Sequence, residues 1–327
     1  MSVLNCLEDL AIAPLPNHAQ IQLTGSDAFS FMHRLSTQNC QTPQSGQGCL
    51  NALLTPKGRF VGLLHQVVLP NNSVLLLGGQ GQQQQIEQWL NKHLFIENVQ
   101  LCSVNKQNTI WWVAGKKAAS KLTRLLGQSP PAEPWQCLLH NNDYIFRTFN
   151  CVDSHGQPVP AWLLRIRHTR GNSLIDALTS QANPHVLSAD EAEAIRIAAG
   201  IPRYDNEIND QTNPLQLGLQ AAIDINKGCY VGQEVMSRLI TYKKVKDRLV
   251  KIMCHEQAYQ QLRVGQRLLL HNQQAGQITS VSPLFTPGVA VALALVKLPV
   301  DTTLPSDALV VQSNQTDSVS VRLHTSS

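Results

Sequence analysis

Hydrophobic and polar positions in the first half of the chain predict strands that alternate with helices. Two apolar runs, at residues 50–54 and 59–64, flank the turn sequence Thr55-Pro56-Lys57-Gly58. Proline at the second and glycine at the fourth position suit a type I turn, so this stretch predicts an antiparallel hairpin. The pattern then predicts a strand at 73–77, a helix at 82–95, a strand at 109–114 and a helix at 118–126. Residues 50–128 are therefore expected to form a compact α+β unit, closed by the proline-rich break at 129–134.

Two more helices are predicted outside this unit. The first follows Gly25, with Ser26 as its N-cap residue. The second begins at Ser188-Ala189-Asp190-Glu191, where serine and glutamate stand in the positions of a capping box. It is expected to run through Ala199 and to end at Gly200.

The pattern changes after Lys246, where short apolar runs are separated by turn residues. These runs are residues 249–254, 267–270, 276–281, 288–296 and 308–311. Several short strands at regular spacing are typical of a small barrel or sandwich. A C-terminal β domain of about 80 residues is therefore predicted.

Length and charge bound the function. At roughly 100–200 residues per domain, 327 residues predict two or three domains. The charged fraction of 15% is low, and a formal net charge of +4 is too weak to indicate nucleic-acid binding. The longest apolar stretch, at 289–296, is far shorter than the ~20 residues of a membrane span.

The cysteines and the N-terminus favour a cytoplasmic protein. Glu8 and Asp9 occupy a region where a signal peptide would be basic and then apolar. The eight cysteines lie at positions 6, 40, 49, 102, 137, 151, 229 and 254, and none of them forms a C-x-x-C pair. This spacing predicts no metal site and is typical of reduced thiols in a cytosol.

The densest chemical signal is the octapeptide Lys227-Gly228-Cys229-Tyr230-Val231-Gly232-Gln233-Glu234, which precedes a run of helical spacing. A cysteine beside a lysine and ahead of a helix N-terminus is a candidate reactive thiolate. A cysteine between two glycines is also an ordinary small packing residue. Both interpretations of Cys229 stay open. Two alternatives to ligand binding also stay open: a structural salt bridge at the edge of the core for Arg196, and a simple pair with Arg203 for Glu207.

The octapeptide resembles the signature of the YgfZ family, folate-binding proteins of iron–sulfur cluster assembly and repair. That family belongs to the glycine-cleavage T-protein (aminomethyltransferase) superfamily. Four other segments resemble the family in sequence order: residues 23–28, 54–59, 196–202 and 276–280. The resemblance therefore extends over nearly the whole chain.

The resemblance implies an α+β fold of three domains, arranged as a T-protein-like cloverleaf around a central folate-binding hole. The expected domains are 1–49 with 139–245, which bind folate and carry the octapeptide; an inserted α+β domain at 50–138; and a C-terminal β-barrel at 246–327. The implied ligand is tetrahydrofolate or a derivative, bound by a cytoplasmic monomer. The implied partners are iron–sulfur client or assembly proteins, including radical enzymes that modify tRNA.

Folate combines a planar pterin with an anionic tail, so its site needs cations and flat walls. The candidates are the cations Arg196, Lys227 and Arg238, the walls Tyr204 and Tyr230, and the carboxylate Glu207. The family's functional cysteine corresponds to Cys229, which is expected on the wall of the folate hole as the most reactive thiol.

Two activities stay open on the sequence. T-proteins carry a Gly-Tyr-Thr-Gly-Glu element whose acid helps to hold the pterin, and residues 140–187 contain none. Segments 206–208 and 212–219, however, resemble the T-protein pattern. The octapeptide favours an accessory factor for iron–sulfur enzymes; the alternative is a folate-dependent aminomethyltransferase or methyltransferase.

Overall fold

A computed structural model describes residues 2–41, 44–167, 174–270, 273–297, 309–312 and 318–324. Its strands, in chain order, are β1 (Ala11–Pro14), β2 (His18–Thr24), β3 (Gly48–Leu54), β4 (Phe60–Val68), β5 (Val74–Gln80), β6 (Gln100–Ser103), β7 (Asn108–Ala114), β8 (Cys137–His140), β9 (Asp143–Arg147), β10 (Cys151–Val152), β11 (Pro158–Val159), β12 (Ala161–Arg167), β13 (His185–Val186), β14 (Asp247–Met253), β15 (Arg267–Leu270), β16 (Gln273–Val281), β17 (Ala292–Lys297), β18 (Leu309–Gln312) and β19 (Ser318–His324).

The α-helices are α1 (Ala28–Leu35), α2 (Gln83–Lys92), α3 (Ala118–Leu126), α4 (Leu174–Ala182), α5 (Ala189–Ala199), α6 (Gln233–Thr241) and α7 (Glu256–Tyr259). Short 3-10 turns occupy Val3–Glu8, Asn105–Gln107 and Gln220–Ala222. Within the described residues, no helix has the length and apolar character needed to cross a bilayer.

Two sheets form the main body. One has the strand order β3-β4-β5-β2-β6, and the other has the order β13-β1-β7-β12-β9-β8. The predicted hairpin is confirmed as β3 and β4, but the predicted boundary at residue 50 falls inside β3. The two sheets do not coincide with the expected 50–138 unit. Strand β2 precedes that range but pairs within the first sheet, and β7 lies inside the range but pairs within the second.

The two sheets pack face to face with helices outside. Val67 and Leu77 of the first sheet contact a buried cluster that includes Phe146 and Leu163 of the second. Helices α1 and α2 cover the outer face of the first sheet, and α3 and α4 cover that of the second. This gives a layered arrangement in which the inner faces can enclose a cavity.

The C-terminal strands close into a barrel in the order β14-β17-β16-β15-β18-β19, with β19 paired back to β14. The expected barrel is therefore observed, although residue 308 of its last predicted strand lies outside the described residues. Its interior holds apolar side chains such as Ile252, Leu268 and Ile278. Regular alternation of apolar and polar residues accounts for this closure.

The helix ends follow local chemistry, with one exception. Ser188 and Glu191 form the predicted capping box of α5, and Gly200 ends that helix with a left-handed backbone. The N-cap of α1 is Asp27 rather than Ser26. The prediction was wrong because the Asp27 carboxylate accepts the Asn98 backbone N–H, which ties this helix start to the loop after α2.

The octapeptide packs against the turn of the β3–β4 hairpin. Gly232 has a φ of +87°, and a Cβ placed there would lie 2.7 Å from the Thr55 carbonyl oxygen. Gly58, in the same turn, would place its own Cβ 2.8 Å from the Met236 side chain. Both glycines have a left-handed backbone, and at Gly232 the close contact is with backbone that cannot easily move, so the hairpin turn and the start of α6 form one unit.

Substitution at Gly232 should measure this contact. Gly127 also has a left-handed backbone (φ +68°), but no described atom lies within 4 Å of the position that a Cβ would take there. We expect Gly127→Ala to cost about 1 kcal/mol, and Gly232→Ala to cost at least about 2 kcal/mol more, because backbone must move. Urea unfolding of both variants tests this, and equal losses would contradict the proposed packing.

Candidate functional site

A cavity of about 420 Å³ lies between the two sheets. Its walls come from β1, β4, β5, β7 and β12, from one face of α5, and from the loop at residues 201–208. Most of these wall residues are apolar, as in small-molecule sites generally. The position between layers agrees with the central hole that the sequence resemblance implies.

Flat side chains line part of this cavity. Tyr204, a predicted wall residue, is one of them, and Trp112 and Phe149 are the others. The Tyr204 hydroxyl lies 2.5 Å from Oε1 of Gln85 on α2, which fixes its ring across the gap between loop and helix. Trp112 and Phe149 were missed because nothing in their sequence surroundings distinguishes them from core aromatics.

Glu193 is the one carboxylate among the described residues that line the cavity. Its two oxygens accept hydrogen bonds of 2.8 Å from Nε and Nη2 of Arg196. Arg203 Nη1 lies 3.3 Å from the same group. Although burial opposes it, pairing with Arg196 and then Arg203 lowers the pKa of Glu193. This acid is therefore ionised and already neutralised by its neighbours.

Arg196, a predicted folate contact, is fully engaged within the protein. Besides its bidentate pair with Glu193, it donates to the Ile201 carbonyl at 2.5 Å, to Glu207 at 3.3 Å and to the Ser280 hydroxyl at 2.9 Å. These contacts use all five N–H groups of the guanidinium. Arg196 lines the cavity, but it has no donor left for a ligand.

Arg203 is the available cation of the cavity. Its side chain is 46% exposed. Within the protein it forms the 3.3 Å ion pair with Glu193 and donates a 3.0 Å hydrogen bond to Asn206. Sequence reasoning treated Arg203 only as a partner for Glu207. The sequence did contain a signal for Arg203. This residue directly follows Pro202, where the chain must leave α5 and can turn back along that helix toward Glu193.

Glu207 is a structural acid rather than a cavity group. Its side chain is fully buried and accepts hydrogen bonds from the Ser280 hydroxyl at 2.6 Å and the Arg203 backbone N–H at 2.9 Å. Asn206 also donates to the Thr279 carbonyl. This network ties the 201–208 loop to barrel strand β16, which explains the family-like segment at residues 276–280.

Two histidines that the sequence did not single out line the cavity. His65 is wedged against Trp135 and Phe149, with ring centroids 5.4 and 6.3 Å apart, and its Nε2 lies 3.1 Å from the Thr148 hydroxyl. Burial, and then the nearby His18, lowers the pKa of His65 to about 4. Burial also lowers the pKa of His18. Both rings are thus neutral at physiological pH.

Lys227, the first octapeptide residue, points into the protein. Its ammonium donates to the carbonyl oxygens of His33 and Ser36 at 2.5 Å and of Gln38 at 2.9 Å. Burial lowers its pKa to about 8, so the cation prevails at pH 7 with its three N–H groups occupied. A cation at the C-terminal end of α1 is stabilising, but Lys227 is not free to hold a ligand or to activate Cys229.

The other octapeptide candidates also lie outside the cavity. The Tyr230 ring is buried, with the Lys227 ammonium 5.1 Å from its centroid. Tyr230 and Gln233 line a separate depression of about 210 Å³. Arg238 is exposed and pairs with Glu234 at 2.7 Å along α6. The structure therefore separates Lys227, Tyr230 and Arg238 from Tyr204, although all were expected at one site.

Cys229 is an exposed free thiol. It precedes α6 and is not one of the residues that line the 420 Å³ cavity, contrary to the expected position on its wall. The expectation rested on the correspondence of Cys229 to the family's functional cysteine and on its place beside Lys227 ahead of a helix N-terminus. The inward packing of Lys227 and Tyr230 instead turns Cys229 outward.

Metal binding finds no support in the described residues. No group of three or more His, Cys, Asp or Glu side chains converges there in a way that could hold an ion. All eight cysteines are free thiols, and two of them, Cys40 and Cys151, are buried.

Comparison with known proteins defines the class of fold. A family model described as the GCVT N-terminal domain matches residues 3–145. The crystal structure of the glycine cleavage system aminomethyltransferase T from Bartonella henselae aligns with a TM-score of 0.79, covering 99% of this chain and 87% of that one at 15% identity. The chain therefore has the fold of this aminomethyltransferase, and its residues 3–145 are similar to the GCVT N-terminal domain.

Sequence relatives fall into more than one branch. A chloroplastic protein of Arabidopsis thaliana described as a transferase is 26% identical over 83% of this chain, which spans only 61% of that relative. An aminomethyltransferase of Prochlorococcus marinus is 24% identical, over 82% of this chain and 73% of its own length. The tRNA-modifying protein YgfZ of Buchnera aphidicola is also 24% identical, over 69% and 67%. Identity alone does not choose between these branches.

The buried role of Lys227 can be tested by Lys227→Met, which keeps the apolar stem but removes the ammonium. Three carbonyl oxygens would lose their donor, so we expect unfolding free energy to fall by about 3 kcal/mol. Lys246→Met, at an exposed position, should change it by less than about 0.5 kcal/mol. Similar effects in the two variants, measured by urea unfolding, would show that the three contacts contribute little.

Proposed function

We propose that this chain binds tetrahydrofolate or a derivative in the cavity between its two sheets, and that it serves as an accessory factor for iron–sulfur enzymes. The observation that carries the proposal is the combination of flat apolar walls with a single available cation, Arg203, among the described lining residues. A flat heterocycle with an anionic tail is the ligand class that this combination suits.

The residues present fit folate in distinct ways. Trp112, Phe149 and Tyr204 offer aromatic surfaces for planar rings. Arg203 can pair with a carboxylate of the glutamate tail, and its partial exposure places that tail toward solvent. When bound, tetrahydrofolate supplies a carrier for one-carbon units; this chain's own residues hold it and exclude water.

The lack of an available acid in the described cavity lining favours binding over group transfer. Glu193 is the carboxylate there, and two arginines already neutralise it. No unpaired carboxylate is therefore left among the described lining residues to act on a bound folate. The missing Gly-Tyr-Thr-Gly-Glu element of T-proteins favours the same choice.

The iron–sulfur role rests on the octapeptide and on one named relative. The octapeptide resembles the YgfZ signature, and a tRNA-modifying protein YgfZ is among the relatives. Its exposed Cys229 is placed to meet a partner protein rather than a ligand inside the cavity. A cytoplasmic monomer that contacts iron–sulfur client or assembly proteins, including tRNA-modifying enzymes, is part of the same proposal.

The aminomethyltransferase alternative is favoured by the fold and by the names of several relatives. Fold alone is a poor guide to reaction. Methylene-tetrahydrofolate formation from an aminomethyl-loaded carrier protein distinguishes the two activities. We expect no turnover above the background without protein, and steady turnover would establish the transferase.

Folate binding is tested by calorimetric titration with tetrahydrofolate. We expect the wild-type chain to bind and Arg203→Ala to bind about tenfold more weakly, since a charge-assisted hydrogen bond is lost. Arg238→Ala is the matched control, because Arg238 is exposed and outside the cavity. No binding by the wild type, or equal weakening by both variants, would refute the assignment.

The role of Cys229 is tested separately from folate. Cys229→Ala should keep the stability and folate affinity of the wild type, because the side chain is exposed and away from the cavity. We expect it to fail in restoring iron–sulfur enzyme activity to a deletion strain, whereas Cys102→Ala, also at an exposed cysteine, restores it. Full restoration by Cys229→Ala would remove the thiol from the mechanism.

A further inference from the structure

The two cavity histidines stand on one wall, on strands that flank β5. His65 of β4 lies opposite Leu77, and His18 of β2 lies opposite Gln80. Two strand spacings separate β4 from β2, or roughly 10 Å across the sheet, and the two positions are offset by three residues, or roughly 10 Å, along β5. A fused two-ring heterocycle spans a gap of this kind. His18 and His65 can therefore approach the same ligand ring from two sides.

Among the described residues, His65 has one ring nitrogen with no hydrogen-bonding partner, and the His18 ring hydrogen-bonds only with the backbone carbonyls of Pro16 and Leu15. His18 Nδ1 lies 3.4 Å from the Pro16 carbonyl, which can only accept, so Nδ1 carries the proton and Nε2 is an acceptor. His65 uses Nε2 for the Thr148 hydroxyl, which leaves Nδ1 for a ligand. Thr148 is itself buried, so this bond fixes how the His65 ring is turned.

Apolar surroundings keep these rings uncharged. Leu63, Leu77 and Phe149 share the cavity wall with them, and the wall carboxylate Glu193 is held in a bidentate pair by Arg196. The edge of a pterin alternates N–H donors with N and O acceptors. A neutral imidazole offers one donor and one acceptor, whereas a carboxylate offers acceptors alone.

We propose that His18 and His65 recognise the pterin ring, and that Thr148 acts as a positioning residue for His65. This inference rests on the folate binding proposed above. Two neutral imidazoles would thus form the hydrogen bonds to an uncharged heterocycle. The single carboxylate among the described lining residues is already paired and takes no part.

The test separates the two halves of folate. Wild type and variants are titrated with tetrahydrofolate, with 6-methyltetrahydropterin and with p-aminobenzoylglutamate. We expect His65→Leu and His18→Leu to weaken tetrahydrofolate and the pterin at least tenfold, and to leave p-aminobenzoylglutamate within twofold. His65→Gln, which can still hydrogen-bond, should retain pterin binding within about threefold of wild type.

Thr148 and a surface histidine complete the design. Thr148→Val, which removes the hydroxyl, should weaken pterin binding severalfold, whereas Thr148→Ser, which keeps it, should preserve binding. This pair tests the role of His65 even if His65→Leu fails to fold. His155→Leu, at an exposed turn, should change nothing. Normal folate binding with pterin affinity unchanged in the histidine variants overturns this inference alone. A wild-type chain that binds no folate overturns the proposed function and this inference with it.

Discussion

The guanidinium of Arg196 is the interaction on which the cavity depends. It joins α5 through Glu193, the following loop through the Ile201 carbonyl, and the barrel through Ser280. A planar group with five donors can hold three elements in one geometry, which lysine could not do. Since every donor is used, the residue that shapes the cavity wall cannot also bind the ligand. That task is left to Arg203, in the loop that follows the helix.

The same constraint governs the octapeptide. A buried cation must be surrounded by acceptors, and Lys227 meets this requirement at the carbonyl end of α1. Its burial brings Tyr230 inward and leaves Cys229 outside. A motif whose residue types suggest ligand binding thus serves largely to join α1, the hairpin turn and α6. The thiol is presented at the edge of this rigid unit, away from the cavity.

Local features of the fold were predictable from the sequence, whereas features made by distant segments were not. The Pro-Gly turn fixed the β3–β4 hairpin and the Ser188 capping box fixed the start of α5, because each depends on four neighbouring residues. The division into two sheets depends on β2 pairing with β5, more than fifty residues away. His18, His65 and Trp112 likewise carry no distinguishing signal in the sequence: strand pairing within one sheet brings the two histidines to one wall, and Trp112 faces them from the other sheet.

Placing the cavity between two apolar sheet faces has a chemical consequence. Burying an isolated carboxylate there would be costly, whereas neutral imidazoles and amides carry no charge to desolvate. Glu193 is tolerated only because Arg196 and Arg203 accompany it, and that pairing removes it as a proton acceptor. Such a cavity can hold a flat, uncharged ring, and the polar groups it offers that ring are neutral imidazoles rather than a free carboxylate. The packing of the sheets therefore sets the chemistry of the cavity wall, while Cys229 lies apart from it on the surface of the octapeptide unit.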